Sequence, residues 1–143
     1  MSVVLGIMAA TIFLLYLVYF IKIIKGNPQA LELEVLRSLA DWIISKGSPS
    51  KSYIWGVFFA SLVVEALYFY LTVVLIQNPV MMSLTLIFIP QEIYHMSRVA
   101  VSLNRFFSGR YLLSQIFNWR MERASAVIFF THSFLVLAIL FFL

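Results

Sequence analysis

All ten Lys and Arg residues of this chain fall within two stretches, 22–51 and 98–123, and the segments outside them are the most apolar it contains. Such alternation predicts helices threaded through a bilayer with the basic loops held on one side, because Lys and Arg near a span resist translocation. The 143 residues are 63% hydrophobic and 11% charged, whereas a soluble domain carries about 25% charge. A soluble core of this size cannot hide that much apolar surface, so lipid must be the solvent for most of it.

The net charge of +4 is concentrated in the two basic stretches and reads as orientation and attraction to anionic headgroups. A nucleic-acid partner would require basic residues interleaved with aromatics on a soluble face, and none is expected. The absence of cysteine removes disulfides, thiolate metal sites and cysteine nucleophiles. The first apolar run lacks the basic leader of a cleavable signal and is expected to remain as a helix.

The expected fold is all-α: one membrane-embedded domain, 1–143, with four transmembrane helices at about 3–24, 53–76, 79–105 and 124–143, and an amphipathic helix at about 28–46. Gly6 and Ala10 form a small-xxx-small pair suited to close helix approach. Asn27 is placed to cap the amphipathic helix, with Pro28 at its first position. Val35, Leu36, Leu39, Trp42 and Ile43 share one face of that helix, opposite Glu34, Arg37, Ser38, Asp41 and Ser45. It is expected to lie in the interface plane with Trp42 at headgroup level, or else to dock on a partner.

The connector Gln77-Asn78-Pro79 predicts a tight hairpin. The apolar run 79–90 is too short to cross alone, so the third span must carry the polar run 91–97 inward, with a kink at Pro90. Segment 111–123 is a second interfacial piece or an extension of the last helix. The charge pattern puts both termini on the non-cytoplasmic side. No internal repeat of the inverted transporter kind is evident.

Ionisable groups at the bilayer centre cost about 2.5–3.5 kcal/mol on insertion scales, which singles out Glu65, Glu92, His95 and His132. Ser61, Glu65, Tyr68 and Thr72 follow one helical stripe. Gln91, His95, Arg98, Ser102 and Arg105 follow a second, and Asn118, Glu122, Ser125 and His132 a third. Counting the helical rise places Glu92, His95 and His132 together in the inner half of the membrane, with Glu65 above them.

Several chemistries fit. Glu65, Tyr68, His95 and His132 form a candidate proton relay beside Glu92. His95 and His132 are candidate axial ligands of a b-type haem. Glu65, Glu92, His95 and His132 supply enough donors for zinc. Glu92-x-x-His95 has di-iron spacing but lacks the second motif and further glutamates. Alternatively Glu92 and His95, with Gln91 and Arg98, simply hold helices together.

Phosphate loops, nucleophile elbows and HExxH are absent. His132 and Ser133 point about 100° apart on a helix, so no catalytic residue is assigned. Phe59, Tyr70, Phe130, Phe134 and Phe141 turn away from the stripes and leave surface for other helices. The expected role is a small integral membrane subunit assembling with other membrane proteins. The alternatives are a redox or proton-transfer module using the Glu/His cluster, and an oligomeric channel or exporter.

Overall fold

A computed structural model describes residues 1–142. Among them are five α-helices: α1 (Ser2–Ile24), α2 (Gln29–Lys46), α3 (Ser50–Leu75), α4 (Pro79–Phe107) and α5 (Trp119–Phe142), with a 3-10 turn at Leu113–Gln115 between the last two. Leu143, the final residue of the expected fourth span, lies outside the described residues.

Local chemistry sets the boundaries. α1 ends where Gly26 adopts φ +77°; the Gly26 and Asn27 amides donate back to the carbonyls of Ile23 and Lys22. The same arrangement closes α4 at Gly109, where the amides of Gly109 and Arg110 reach Phe106 and Arg105. Left-handed backbone of this kind costs a glycine little and satisfies the orphan carbonyls of a helix end.

α4 starts on Asn78, whose side chain accepts from the Val80 and Met81 amides at 3.0 and 3.2 Å. The equivalent role expected of Asn27 is not realised. Pro28 itself occupies the cap position of α2, and no side chain bonds there.

α1, α3 and α5 are long and apolar enough to cross a membrane. α4, at 29 residues, is the longest helix, but its half beyond Pro90 is polar and it is less apolar than the other three long helices. It runs through Pro90 as continuous helix. Segment 111–123 is not one amphipathic helix: it divides into the 3-10 turn and an extension that starts α5 at Trp119.

α1 and α5 pair antiparallel along their length, Gly6 facing Leu140, and α3 turns back into α4. The basic residues therefore gather at one end of the bundle, with Ser2, Asn78 and Phe142 at the other. Where lipid surrounds such helices it offers no hydrophobic gain for their association, so contact packing has to hold them. Leu5, Ala9 and Ile12 form the buried seam of α1. Beyond it Phe20 and Phe13 stack on Phe130, centroids 3.9 and 4.8 Å away, and Tyr16 on Phe129 at 5.6 Å; such pairs contribute about 0.5–1.5 kcal/mol each.

Phe130 is thus committed to α1 rather than free for another helix, while Phe59, Tyr70, Phe134 and Phe141 remain exposed. Of the expected small-residue pair, Gly6 and Ala10 are only partly buried, whereas Ala9 between them is fully buried. A Cβ added at Gly6 would meet Leu140 Cδ1 at an ordinary 3.8 Å.

Candidate functional site

Two buried hydrogen-bonded layers cross the bundle. The first lies toward the basic end. His95 on α4 is held between two carboxylates: Nδ1 is 2.9 Å from Glu92 Oε1, one turn earlier, and Nε2 is 2.8 Å from Glu122 Oε1 on α5. The Ser125 hydroxyl donates to the other Glu92 oxygen at 2.9 Å. Glu92, His95 and Ser125 are buried, and Glu122 is partly exposed.

A neutral imidazole has only one N–H, so it can donate to only one of two carboxylates. The observed pair of bonds therefore requires one further proton, carried on the ring or on one carboxyl group. This centre is built around a shared proton.

The second layer is centred on His132 of α5, which is fully buried. The Thr85 hydroxyl donates to the Met81 carbonyl at 2.7 Å, so its oxygen must accept from His132 Nε2, 2.8 Å away. That fixes the N–H on Nε2 and leaves Nδ1 to accept from the Tyr68 hydroxyl at 2.8 Å. Tyr68, Phe69 and Phe88 set their rings at steep angles round the imidazole, centroids 5.4–5.7 Å away. A directional chain results, with every polar atom satisfied and no proton to spare.

These positions revise the expected single cluster. Ten residues separate Thr85 from His95 on α4, and ten separate Glu122 from His132 on α5, so the layers stand roughly 15 Å apart along the helices. His132 therefore sits toward the non-basic end instead of sharing a level with His95. The earlier start of α5 lengthens the distance from the basic end to His132, and the His132 bonds to Tyr68 and Thr85 set its level. Tyr68 belongs to the His132 layer alone.

Glu65 joins neither network. It lines a cavity of about 290 Å³ between α3 and α4 whose wall also includes Glu92, amid Leu62, Ala66, Phe69 and Ile89. Gln91 and Arg98 make no side-chain hydrogen bond among the described residues, so they are not the helix-joining groups expected. Arg98 instead lines a polar cavity of about 210 Å³ with His95, Ser102, Tyr111, Gln115 and Glu122. Within the two layers the bonds joining helices are made instead by Tyr68 and Thr85 to His132, by Ser125 to Glu92 and by Glu122 to His95. Glu122 and Ser125 were visible as members of a stripe, but Thr85 gave no sequence signal.

The metal readings do not fit this geometry. Haem bound by two histidines needs both rings at one macrocycle, each with a free nitrogen. Here the rings lie in different layers and all four nitrogens are engaged. The same separation disperses the proposed zinc donors, and Glu92 and His95 bond each other rather than converging on a di-iron centre. Among the described residues no group of side chains is arranged to hold a metal ion.

A third buried group went unread in the sequence. Glu32 of α2 is 4% exposed and accepts two bonds from Arg123 of α5, at 2.6 and 2.8 Å, and one from the Tyr19 hydroxyl of α1 at 2.6 Å. The Arg123 guanidinium holds the Glu32 carboxyl below the usual carboxylate range, against the opposing effect of burial. The signal was there: Glu32 precedes Val35, Leu36 and Leu39 at helical spacing and so belongs to the apolar face of α2. This clasp ties α2 to the bundle through protein contacts.

Comparison with protein families, with curated proteins and with solved structures finds no match. The fold and site thus define the protein: an all-helical chain, three of whose helices are apolar enough to cross a membrane, carrying two buried polar layers between them.

Proposed function

We propose that this chain is a four-span integral membrane protein acting as a proton-transfer module. α4 is the fourth span, its polar half shielded by α5, and the basic end faces the cytoplasm. The observation that carries the reading is the imidazole of His95 between two carboxylates, which needs one more proton than neutral His95 supplies. The polar cavity supports it by bringing water to Glu122 and His95 from the basic end. Glu92 forms the wall between that centre and the cavity holding Glu65.

In the proposed step Glu122 passes a proton to His95 Nε2 while Nδ1 releases one to Glu92. Glu65 is the next acceptor, reached across its cavity, and would release the proton toward the far side through water admitted between α3 and α4. A water between the two carboxyls would complete the path, and a cavity of this volume has room for one. His132 takes no part, being closed off in its own satisfied chain.

Reconstitution into liposomes with an imposed potential and an internal pH dye tests this. His95→Asn and Glu65→Gln should each slow acidification at least about a hundredfold, the low end for loss of a proton-transfer group. Thr85→Val, in the His132 layer, should leave the rate unchanged. Equal rates in the native protein and His95→Asn would overturn the reading.

A second reading is that the module serves as a small subunit of a larger membrane assembly. Phe59 and Tyr70, 58% and 61% exposed on α3, favour it as aromatic anchors for a neighbouring helix. Mild-detergent purification that recovers stoichiometric membrane partners, lost on Phe59→Ala/Tyr70→Ala, would support it.

A further inference from the structure

At the basic end, α2, α3 and α4 enclose a groove of about 350 Å³ whose lining includes Leu39, Trp42, Tyr53, Ile54, Phe58 and Leu103 and carries no charged side chain. Two lysines lie beside its aromatic wall. Lys46 Nζ is 6.0 Å over the ring of Tyr53, itself part of the lining. Lys51 Nζ is 6.0 Å over Phe107, which packs in the cluster containing Phe58 and Leu103. Both lysines are exposed, and neither pairs with a carboxylate among the described residues.

We propose that this groove binds one acyl chain of an anionic phospholipid, with the headgroup phosphate held by Lys46 and Lys51. The inference rests on the membrane reading but not on the proton-transfer step. Three features select this occupant. At roughly 30 Å³ per water-sized group, the groove has room for about a dozen methylenes, most of one acyl chain. Lys46 and Lys51 bracket the turn between α2 and α3, where the apolar run of α3 begins and the headgroup layer is expected. Two unpaired ammonium groups flank an uncharged slot, the arrangement that recognises a negative headgroup joined to a hydrocarbon tail. A soluble phosphate would satisfy the lysines but leave the slot empty; a zwitterionic lipid would fill the slot but gain less from the lysines.

Trp42 lines the groove and provides the readout. In nanodiscs of phosphatidylcholine, the full chain carrying Trp55→Phe and Trp119→Phe is titrated with phosphatidylglycerol brominated on its acyl chain. Quenching of Trp42 should saturate at low mole fraction, and brominated phosphatidylcholine should quench far less at equal mole fraction. Lys46→Gln/Lys51→Gln should weaken the preference about thirtyfold, equivalent to about 1 kcal/mol per lysine; both sites are exposed, so folding should survive. Leu39→Trp, read in the same way with Trp42→Phe, should block entry and abolish saturation while helicity is retained.

Equal quenching by the two lipids would overturn the proposal, as would an undiminished preference in the double lysine variant. Displacement by soluble glycerol phosphate as effective as by the lipid would also overturn it, since the site would then be an anion site alone. Loss of proton flux in the His95 variant with lipid selectivity intact, or the reverse, separates this proposal from the preceding one.

Discussion

Tyr68→Phe removes one oxygen from the His132 layer and leaves everything else in place. The ring of Tyr68 stays packed against Phe69 and His132, so no cavity forms and the effect is polar alone. The lost bond is the 2.8 Å contact to His132 Nδ1. No other polar group satisfies that nitrogen, and at 0% exposure water cannot replace it.

A net hydrogen bond is worth about 0.5–1.5 kcal/mol, and an abandoned buried acceptor costs about 1–3 kcal/mol. Helix-to-helix hydrogen bonds in bilayers measure about 0.6 kcal/mol on average, with a maximum near 1.7. A loss of about 1–2 kcal/mol is therefore expected. His132→Leu should cost at least as much, because it orphans the Tyr68 hydroxyl and leaves the Thr85 hydroxyl bonded only to Met81. In the double variant Tyr68→Phe/His132→Leu both orphaned groups on that side are gone, so its cost should fall well below the sum of the singles. Steric-trap or denaturant unfolding in bicelles measures all three. Strict additivity would refute the chain of bonds assigned here, and ¹⁵N spectra of His132 showing the proton on Nδ1 would refute its direction.

Three further outcomes follow. The Glu32 carboxyl is held below its unfolded value by Arg123, so the clasp contributes fully above the ordinary carboxylate range and is lost as pH falls through the lowered folded value. Amide exchange across α2 should rise at that acid limb, and Glu32→Gln should flatten the response; a pH-independent α2 would contradict the clasp. Single cysteines at Arg37 and Asn78 should be labelled from opposite faces of a sealed vesicle in the four-span arrangement, and labelling from one face would exclude it. Gly6→Ala should stabilise the chain by roughly 0.5–1 kcal/mol, since helix interiors favour alanine and the added methyl meets Leu140 at 3.8 Å; destabilisation would mean that α1 and α5 approach more closely than described.

Much of the fold was legible because a helix is a local object. Gly26 and Gly109 stop helices by their own backbone freedom, and Asn78-Pro79 starts one by side-chain capping. Even so, Asn27-Pro28 carries the same dipeptide without the cap, because α2 begins one residue later. The polar stripes marked the inward face of α3 and that of α5 from Glu122 to His132, but on α4 only His95 of its stripe is buried, while Arg98 and Arg105 are exposed and the buried Glu92 lies off it. Depth was misjudged for His132 because stripe phase gives direction around a helix but not the longitudinal register between helices.

The sequence by itself determined that the chain is helical, that its apolar runs suit lipid and that its basic residues gather at one end, since these follow from composition and from spacing within single segments. Only the tertiary structure decided which polar groups meet. Whether His95 bonds Glu122 or His132, whether Glu32 faces water or Arg123, and whether Glu65 has a partner all depend on the axial offset of one helix against another. A shift of one turn, about 5.4 Å, exceeds the reach of any hydrogen bond. That offset is set by the stacking of Phe13 and Phe20 on Phe130 and by the bonds of His132 across three helices, contacts between residues 47 to 117 apart in the chain, and no local pattern encodes them.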